Sequence, residues 1–302
     1  MSLNNLEHHV ISNFTELKLP SRNLPATEEN VALVGIKAAL HIGRLLQDAR
    51  LLSNIPLVEY KNDGTRVTPC DVEGERIARS IISRSFPHHD IIGEEGGGTL
   101  NPSRYCWVID PVDSTNSFIS HENTSAVSIC LMYEGKMLFS TVYNPFSGEL
   151  YYAIGGEKSR LIQSYGFNPE HSAHDLPLPS GEPNSTSRFV NIHPTPENND
   201  ALQIMIRARA RGEIQKVLQQ GGSPSLNIAS ITKGGHFGVV HHWNHGPAQP
   251  WDLASALHIV RGAGGFVTDR EGSDVPLVGH TGTLVASMDA SFQEKLLQLL
   301  RS

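Results

Sequence analysis

The chain has 302 residues, and 24 basic against 31 acidic side chains give it a formal net charge of −7. An acidic chain lacks the basic surface with which proteins bind nucleic acids or anionic membranes, so we expect neither partner. With 39% hydrophobic and 18% charged residues, the chain is too apolar to be disordered and long enough to bury a large core.

In chain order, the pattern predicts two helices and then a series of strands. Residues 1–26 are expected to form an arm or a short helix. After Thr27, which suits an N-cap, apolar residues repeat every three or four positions, which predicts a long amphipathic helix ending near Ser53. A second helix is expected from just after Asp71 to the next proline. Short apolar runs separated by Gly and Pro turns over residues 89–154 then favour an antiparallel sheet.

The second half begins with a segment rich in proline. Residues 168–187 contain four prolines and little periodicity, which makes them the best candidate for a boundary or a surface excursion. Beyond it the pattern predicts a helix over 197–220, an apolar stretch over 226–231, a strand over 237–243 and a helix from 251 to a glycine C-cap at 264.

Three cysteines without CxxC spacing argue against a disulfide framework. No leader pattern is present, and no apolar run reaches the roughly 18 residues of a membrane span. We therefore expect a cytoplasmic protein.

The strongest chemical signal is the run DPVDST at residues 110–115, which follows an apolar stretch. Because proline restricts the backbone, both carboxylates and the carbonyl of Val112 can converge on one point. Mg²⁺ prefers such hard oxygen ligands. Taken alone, an Asp-rich turn that binds its own amides explains the run equally well.

Three further acidic motifs accompany it: VTPCD at 67–71, GEEG at 93–96 and PWD at 250–252. Each alone is more simply explained as a helix cap or a solvated acidic loop. Four such motifs in one chain are less simply explained as unrelated helix caps and acidic loops.

In this order, the segments VTPCDVEGE, GEEG, WVIDPVDSTNSF and PWDLASALHIVRGAGG resemble the inositol monophosphatase-like family of Mg²⁺-dependent, lithium-sensitive phosphomonoesterases. The resemblance covers the chain from Thr27 to its end and is weakest over 157–225. It implies a mixed α/β (α+β) fold, the layered α-β-α-β-α sandwich of the sugar phosphatases. It also implies a half over 1–160 with most metal ligands, a half over 161–302 with Asp252 and the substrate-side wall, and a homodimer.

The resemblance further implies roles for single residues. Glu94 would bind a first metal and steer the attacking water, and Thr115 with Asp71 would take a proton from that water. The amides of Ser114 and Thr115 would bind the phosphate, and Asp252 would also contact substrate. Two or three Mg²⁺ ions, for which Mn²⁺ could substitute, would be held by Glu94, Asp110, the Val112 carbonyl, Asp113 and Asp252.

Two departures from the family pattern affect substrate choice. Ser114 stands where the family usually has glycine. Inositol phosphatases have a sugar-binding glutamate shortly before the WD motif, and here His241, His242 and His245 lie near that position. We therefore predict a phosphatase for a small phosphomonoester such as an inositol or sugar phosphate, and treat the three histidines as candidate substrate contacts.

The family's 3′(2′),5′-bisphosphate nucleotidase and histidinol-phosphatase branches remain open as alternatives. An alternative from another class is a non-catalytic regulatory binding protein with a vestigial site. The serine at position 114, in place of the usual glycine, is the feature that favours this alternative.

Overall fold

A computed structural model describes residues 21–51, 58–61, 63–156, 159–164, 171–178, 188–193, 199–234 and 237–302. Its helices are α1 Glu28–Leu51, α2 Pro69–Ser85, α3 Thr115–Ile119, α4 Asn199–Ala210, α5 Pro224–Ser230, α6 Pro250–Gly262 and α7 Ala290–Arg301. Its strands are β1 Glu59–Tyr60, β2 Arg66–Val67, β3 Asp90–Gly93, β4 Cys106–Asp113, β5 Ala126–Tyr133, β6 Lys136–Asn144, β7 Glu149–Ile154, β8 Arg160–Ser164, β9 His171–Asp175, β10 Phe189–Ile192, β11 Lys216–Leu218, β12 Phe237–Ala248, β13 Phe266–Asp269 and β14 His280–Ser287.

The described strands form a large sheet, a smaller sheet and a hairpin. The large sheet has seven strands in the order β3-β4-β5-β6-β7-β8-β9, and the smaller one has five in the order β11-β10-β12-β14-β13. Among the described strands, β1 and β2 pair only with each other. The predicted antiparallel sheet is confirmed except at its first pair, because β3 runs parallel to β4.

Helices separate and cover the two sheets. Helices α1 and α2 cover the outer face of the large sheet, and α4 and α7 cover the outer face of the small one. Helices α5 and α6 lie between the sheets and bury apolar side chains against both. The layers therefore follow the order α-β-α-β-α, as the resemblance implied.

Close packing of α1 on the large sheet depends on two glycines. A Cβ added to Gly35 would lie 2.1 Å from the ring of Phe139, and one added to Gly43 would lie 2.3 Å from Tyr143. The absence of side chains lets both aromatic rings pack directly against the helix backbone, which buries Phe139 completely.

The prediction of a helix over 197–220 was wrong for the C-terminal part of that range. Helix α4 stops at Ala210, and Gly212 adopts a φ of +76° that does not continue a right-handed helix. Val217 then pairs in parallel with Val190 at the edge of the small sheet. The non-local pairing outweighs the helical period of this segment.

Other predicted boundaries shift less. Helix α1 ends at Leu51, close to the expected position, and the apolar stretch from 226 lies in helix α5. Within 168–187, residues 171–175 form the edge strand β9. Residues 1–20, 165–170 and 179–187 lie outside the described residues, and the division of the chain at residue 160 stays a prediction. No helix of the described ranges has the length and apolarity to cross a membrane.

Candidate active site

The parallel pair β3 and β4 brings the first two acidic motifs together. Gly93 pairs with Ile109, and the amide of Glu94 donates a hydrogen bond to the carbonyl of Ile109 at 3.2 Å. Both strands end at the same edge of the sheet because they run in the same direction. Glu94, directly after β3, and Asp110, near the end of β4, therefore lie at one rim of the sheet.

A one-residue bulge in β4 sets the positions of the two aspartates. Asp110 pairs with Ser128. Asp113 pairs with Ala126, so β4 has one residue more than its partner over this interval. Residues three apart on a regular strand face opposite sides, and an extra residue turns them to the same side. Pro111 fits here because a bulge leaves an amide unpaired; the predicted turn is a bulge within the strand.

Asp71 supports the site from behind Thr115. The Thr115 hydroxyl donates a hydrogen bond to Asp71 Oδ1 at 2.8 Å. The other oxygen, Oδ2, accepts the amide of Thr68 at 2.8 Å and closes the N-terminus of α2. Burial raises the pKa of Asp71 above its ordinary value, although its hydrogen bonds to Thr68 and Thr115 oppose this shift.

Two serines from a distant part of the chain bind Asp113. The hydroxyl of Ser223 donates to Asp113 Oδ2 at 2.6 Å, and the amide of Ser225 donates to the same oxygen at 3.0 Å. The Ser225 hydroxyl is a third donor to it. Both serines lie at the start of α5, so this helix fixes one oxygen of the carboxylate.

Helix α6 carries Asp252 to the same rim. Asp252 is the third residue of the helix, and its Oδ2 accepts the amide of Gln249 at 2.7 Å. Ser255, one turn further along, pairs with Ser128 of β5 at 2.9 Å between hydroxyl oxygens. This bond ties the helix to the strand beside β4.

Glu75 of α2 shapes the GEEG loop that carries Glu94. Its carboxylate accepts the amides of Glu95 and Gly96 at 2.8 and 2.9 Å and pairs with Arg79 at 2.7 Å. Only 2% of the Glu75 surface is exposed. The loop conformation thus depends on the buried carboxylate at the end of the VTPCDVEGE segment, a residue for which the sequence predicted no role.

These elements enclose a cavity of about 700 Å³. Most residues implied by the resemblance line it, together with residues of the β1–β2 hairpin. The lining residues are Tyr60, Asp63, Gly64, Thr65, Arg66, Glu94, Asp110, Val112, Asp113, Ser114, Thr115, Asn116 and Asp252.

Burial and mutual repulsion raise the pKa values of three of these carboxylic acids in the protein alone. Burial, followed by the charges of Glu94 and the neighbouring aspartates, raises the pKa of Asp110 well above its usual range. Burial raises the pKa of Asp113 to about 6, against its hydrogen bonds from the serines. Burial also raises the pKa of Asp252 to about 7. A bound cation would reverse these shifts, because it favours the charged form.

The oxygen atoms that line the cavity suit a hard divalent cation, although in this structure Glu94 is paired with a lysine and Asp113 with two serines. Lys61 Nζ lies 2.7 Å from Glu94 Oε1 and 2.7 Å from Glu95 Oε1, so a lysine neutralises Glu94. Within the described ranges, no group of three or more His, Cys, Asp or Glu side chains is arranged to hold an ion. Asp110 and Asp113, which are only 3% and 5% exposed, nonetheless supply the oxygen donors that Mg²⁺ prefers.

Two of the three histidines expected near the substrate, His241 and His242, lie apart from the cavity. His241 is 6% exposed, and its ring centre lies 4.4 Å from that of His193 and 3.8 Å from that of Trp243. Burial lowers the pKa of His241 well below its usual value, so the ring stays neutral. His242 Nδ1 pairs with the hydroxyl of Thr283 at 2.9 Å. Neither residue lines the cavity, and the side chain of His245 lies outside the described part of the chain.

Residues 27–302 match the model of the inositol monophosphatase family. The chain belongs to the inositol monophosphatase family. An inositol-1-monophosphatase of Rhizobium meliloti is 30% identical over 83% of this chain and 89% of its own length. A protein of Escherichia coli named Nus factor SuhB is also 30% identical, over 84% of this chain and 89% of its own.

Solved structures of inositol monophosphatase family proteins share the fold. The extragenic suppressor protein suhB of Bartonella henselae superposes with a TM-score of 0.73 over 90% of this chain and 98% of its own, at 24% identity. An IMPase of Thermotoga maritima gives 0.69 over 88% and 94%, at 23% identity. Membership of the inositol monophosphatase family supports a phosphatase, whereas these structures show the fold alone.

Proposed function

We propose that this protein is a Mg²⁺-dependent phosphatase that hydrolyses a small phosphomonoester by attack of water. The observation that carries the proposal is the convergence of Glu94, Asp110, Asp113 and Asp252 on one cavity. A carboxylate cluster alone would repel a phosphate dianion, so substrate binding here requires cations. Family membership supports the same reaction class.

The chain would hold the metal ions through oxygen ligands only. In the proposed arrangement, Glu94 and the Val112 carbonyl would hold one ion, Asp113 and Asp252 would hold a second, and Asp110 would be a ligand to both. Bound Mg²⁺ acidifies water and neutralises charge on the phosphate and the leaving oxygen. Binding requires Glu94 to exchange Lys61, 2.7 Å away, for the metal.

Thr115 and Asp71 would form the route for the proton. The nucleophilic water passes its proton to Thr115 Oγ1, whose own proton moves along the existing 2.8 Å hydrogen bond to Asp71 Oδ1. Since Oδ2 of Asp71 is fixed by Thr68 at the start of α2, the accepting oxygen keeps its orientation.

Ser114 and Thr115 would bind the phosphate through their backbone amides. Ser114 has a φ of +71°, and both residues line the cavity beside the carboxylates. This left-handed conformation directs the backbone around the corner between β4 and α3. Substrate contacts from His241 and His242 are not part of the proposal, because both residues lie apart from the cavity.

The test is phosphate release from inositol 1-phosphate, fructose 1,6-bisphosphate, 3′-phosphoadenosine 5′-phosphate and histidinol phosphate. Each compound is assayed with Mg²⁺, Mn²⁺, Mg²⁺ plus Li⁺, and EDTA. We expect turnover that EDTA abolishes, Mn²⁺ partly restores and Li⁺ inhibits. The compound with the highest kcat/KM identifies the branch of the family.

A matched pair of variants ties the activity to the cavity. Glu94→Gln and Glu95→Gln each remove one carboxylate partner of Lys61, but only Glu94 lines the cavity. We expect Glu94→Gln to lower kcat by at least about 100-fold, by the scale of losing a group that acts in the transition state, and Glu95→Gln to lower it far less. Equal losses, or no turnover of any ester by folded, Mg²⁺-supplemented protein, would refute the proposal.

A second candidate is a regulatory, partner-binding role with a vestigial site. The relatives named Nus factor SuhB, 30% identical over 84% of this chain, favour it. Asp113→Asn separates the two functions, since it should abolish hydrolysis and leave capture of a protein partner intact. The cytoplasmic location and the homodimer are further proposals, which fractionation and sedimentation would test.

A further inference from the structure

The β1–β2 hairpin contributes an exposed cation to the cavity. Tyr60 and Arg66 are cross-strand partners in this hairpin, and both line the cavity. Strand β2 also contacts helix α3, whose first residue is Thr115. The hairpin therefore stands beside the segment proposed to bind the reacting phosphate.

Arg66 has no acidic partner within the described part of the chain. No hydrogen bond or ion pair joins its guanidinium to another described residue, and its Cζ lies 6.0 Å from the centre of the Tyr60 ring. Lys61, five residues earlier, is by contrast bound to two glutamates. A guanidinium has five N–H donors in a planar fork that matches phosphate or carboxylate geometry.

The charges of the cavity are divided between two regions. Its described lining includes five carboxylates and one cationic side chain, that of Arg66. The buried acids Asp110 and Asp113 form the floor, whereas Arg66 and Tyr60 are exposed at the rim, with Tyr60 at 68% exposure. The exposed carboxylate of Asp63 lies in the same hairpin, where its Oδ1 accepts the amide and the hydroxyl of Thr65 and not the guanidinium of Arg66. A volume of about 700 Å³ accommodates a ligand that reaches from one region to the other.

We propose that Arg66, supported by Tyr60, selects phosphomonoesters that carry a second anionic group. The reacting phosphate lies at the acidic floor, and the second group receives a bidentate contact from the guanidinium at the rim. This inference rests on the proposed phosphatase function and narrows its substrate class to bisphosphates and comparable dianionic esters. Arg66 is thus a specificity-determining residue outside the reacting centre.

The test compares matched substrates that differ by one phosphate. The pairs are glucose 1-phosphate with glucose 1,6-bisphosphate, and adenosine 3′-monophosphate with adenosine 3′,5′-bisphosphate. Wild-type protein should show a higher kcat/KM for the bisphosphate of at least one pair. Arg66→Ala should lower kcat/KM for that bisphosphate about 10- to 100-fold more than for its monophosphate, the range of a charge-assisted hydrogen-bonded pair.

Two further variants make the result specific. Arg66→Lys keeps the charge without the planar fork and should recover only part of the preference. Arg44→Ala removes the same charge from the exposed face of α1, where Arg44 pairs with Asp48, and should leave the substrate ratio unchanged. If Arg44→Ala lowered the ratio as much as Arg66→Ala, long-range charge would explain the effect and the inference would fail.

The outcomes also separate this inference from the proposed function. Turnover of both members of a pair with equal losses in Arg66→Ala would mean that Arg66 binds the reacting phosphate, which overturns the inference alone. Equal kcat/KM within each pair in the wild type would do the same. No Mg²⁺-dependent turnover of any of the four esters, nor of the other phosphate esters proposed above, would overturn the phosphatase function and the inference with it.

Discussion

Replacing Ser114 by glycine should stabilise the protein. Ser114 has φ 71° and ψ 68° and makes no side-chain capping bond. Its carbonyl accepts the hydroxyl of Ser125 and the amide of Phe118 at 3.1 and 3.2 Å, and glycine keeps that carbonyl. The substitution therefore removes a Cβ from a left-handed position without removing a described hydrogen bond.

The magnitude follows from two opposing contributions. An L-residue in the left-handed region costs about 1–2 kcal/mol, which glycine relieves. Glycine in turn lowers stability by about 0.5–1 kcal/mol, because its unfolded chain has more freedom to lose. We expect the free energy of unfolding to rise by about 0.5–1 kcal/mol, which corresponds to roughly 2 °C in Tm for a chain of this size.

Ser120→Gly is the matched control. Ser120 closes the other end of α3, is exposed and has a φ of −78°, so glycine there brings only the entropic loss. Urea unfolding of both variants at pH 7.5 should separate them by about 1–2 kcal/mol, the left-handed contribution alone. If Ser114→Gly were no more stable than Ser120→Gly, the conformational argument would be refuted, and phosphate release by the same samples would show whether the Cβ affects turnover.

Three further predictions concern the residues around the site and the fold. Glu75→Ala should lower the free energy of unfolding by about 3–5 kcal/mol, since it removes the carboxylate partner of Arg79 and leaves the amides of Glu95 and Gly96 without an acceptor; calorimetry showing an unchanged Tm would contradict this. Ser225→Ala should lower stability by about 1.5–3 kcal/mol, the range for a hydrogen bond to a charged group such as Asp113, and a urea midpoint equal to wild type would refute it. Burial lowers the pKa of His89 from 6.5 to about 4, so the unfolded chain takes up a proton first as pH falls and stability is lost from pH 6.5 downwards. His89→Gln should flatten that loss between pH 7 and pH 4.5, and an unchanged slope would show that other groups cause it.

The acidic motifs could be found from sequence because each is short and continuous. Asp110 and Asp113 lie within four positions of each other, and Asp252 directly follows the proline and tryptophan at the start of a helix. Their convergence depends on features that spacing does not reveal. The bulge in β4 requires knowledge of its pairing with β5, and the parallel pairing of β3 is a non-local choice between similar apolar runs.

The supporting residues were beyond prediction for the same reason. Ser223 and Ser225 lie more than a hundred positions from Asp113 in sequence, and serines at a helix start are common caps without any site nearby. His241 shows the opposite difference between sequence and structure. Its position before the PWD motif suggested the substrate pocket, but alternation along β12 places its ring in a buried cluster with His193 and Trp243.

Asp71 and Asp252 have a property that bears on how such a chain evolves. Each is the third residue of its helix and binds the amide three positions earlier, at 2.8 Å in one case and 2.7 Å in the other. Selection for folding alone would therefore resist their loss. In a descendant that no longer hydrolysed phosphate esters, these two acids would persist as folding determinants, whereas Glu94, which caps no helix in the described structure, would be free to drift. The identity of residue 94 is thus a better record of retained catalysis among relatives than either aspartate.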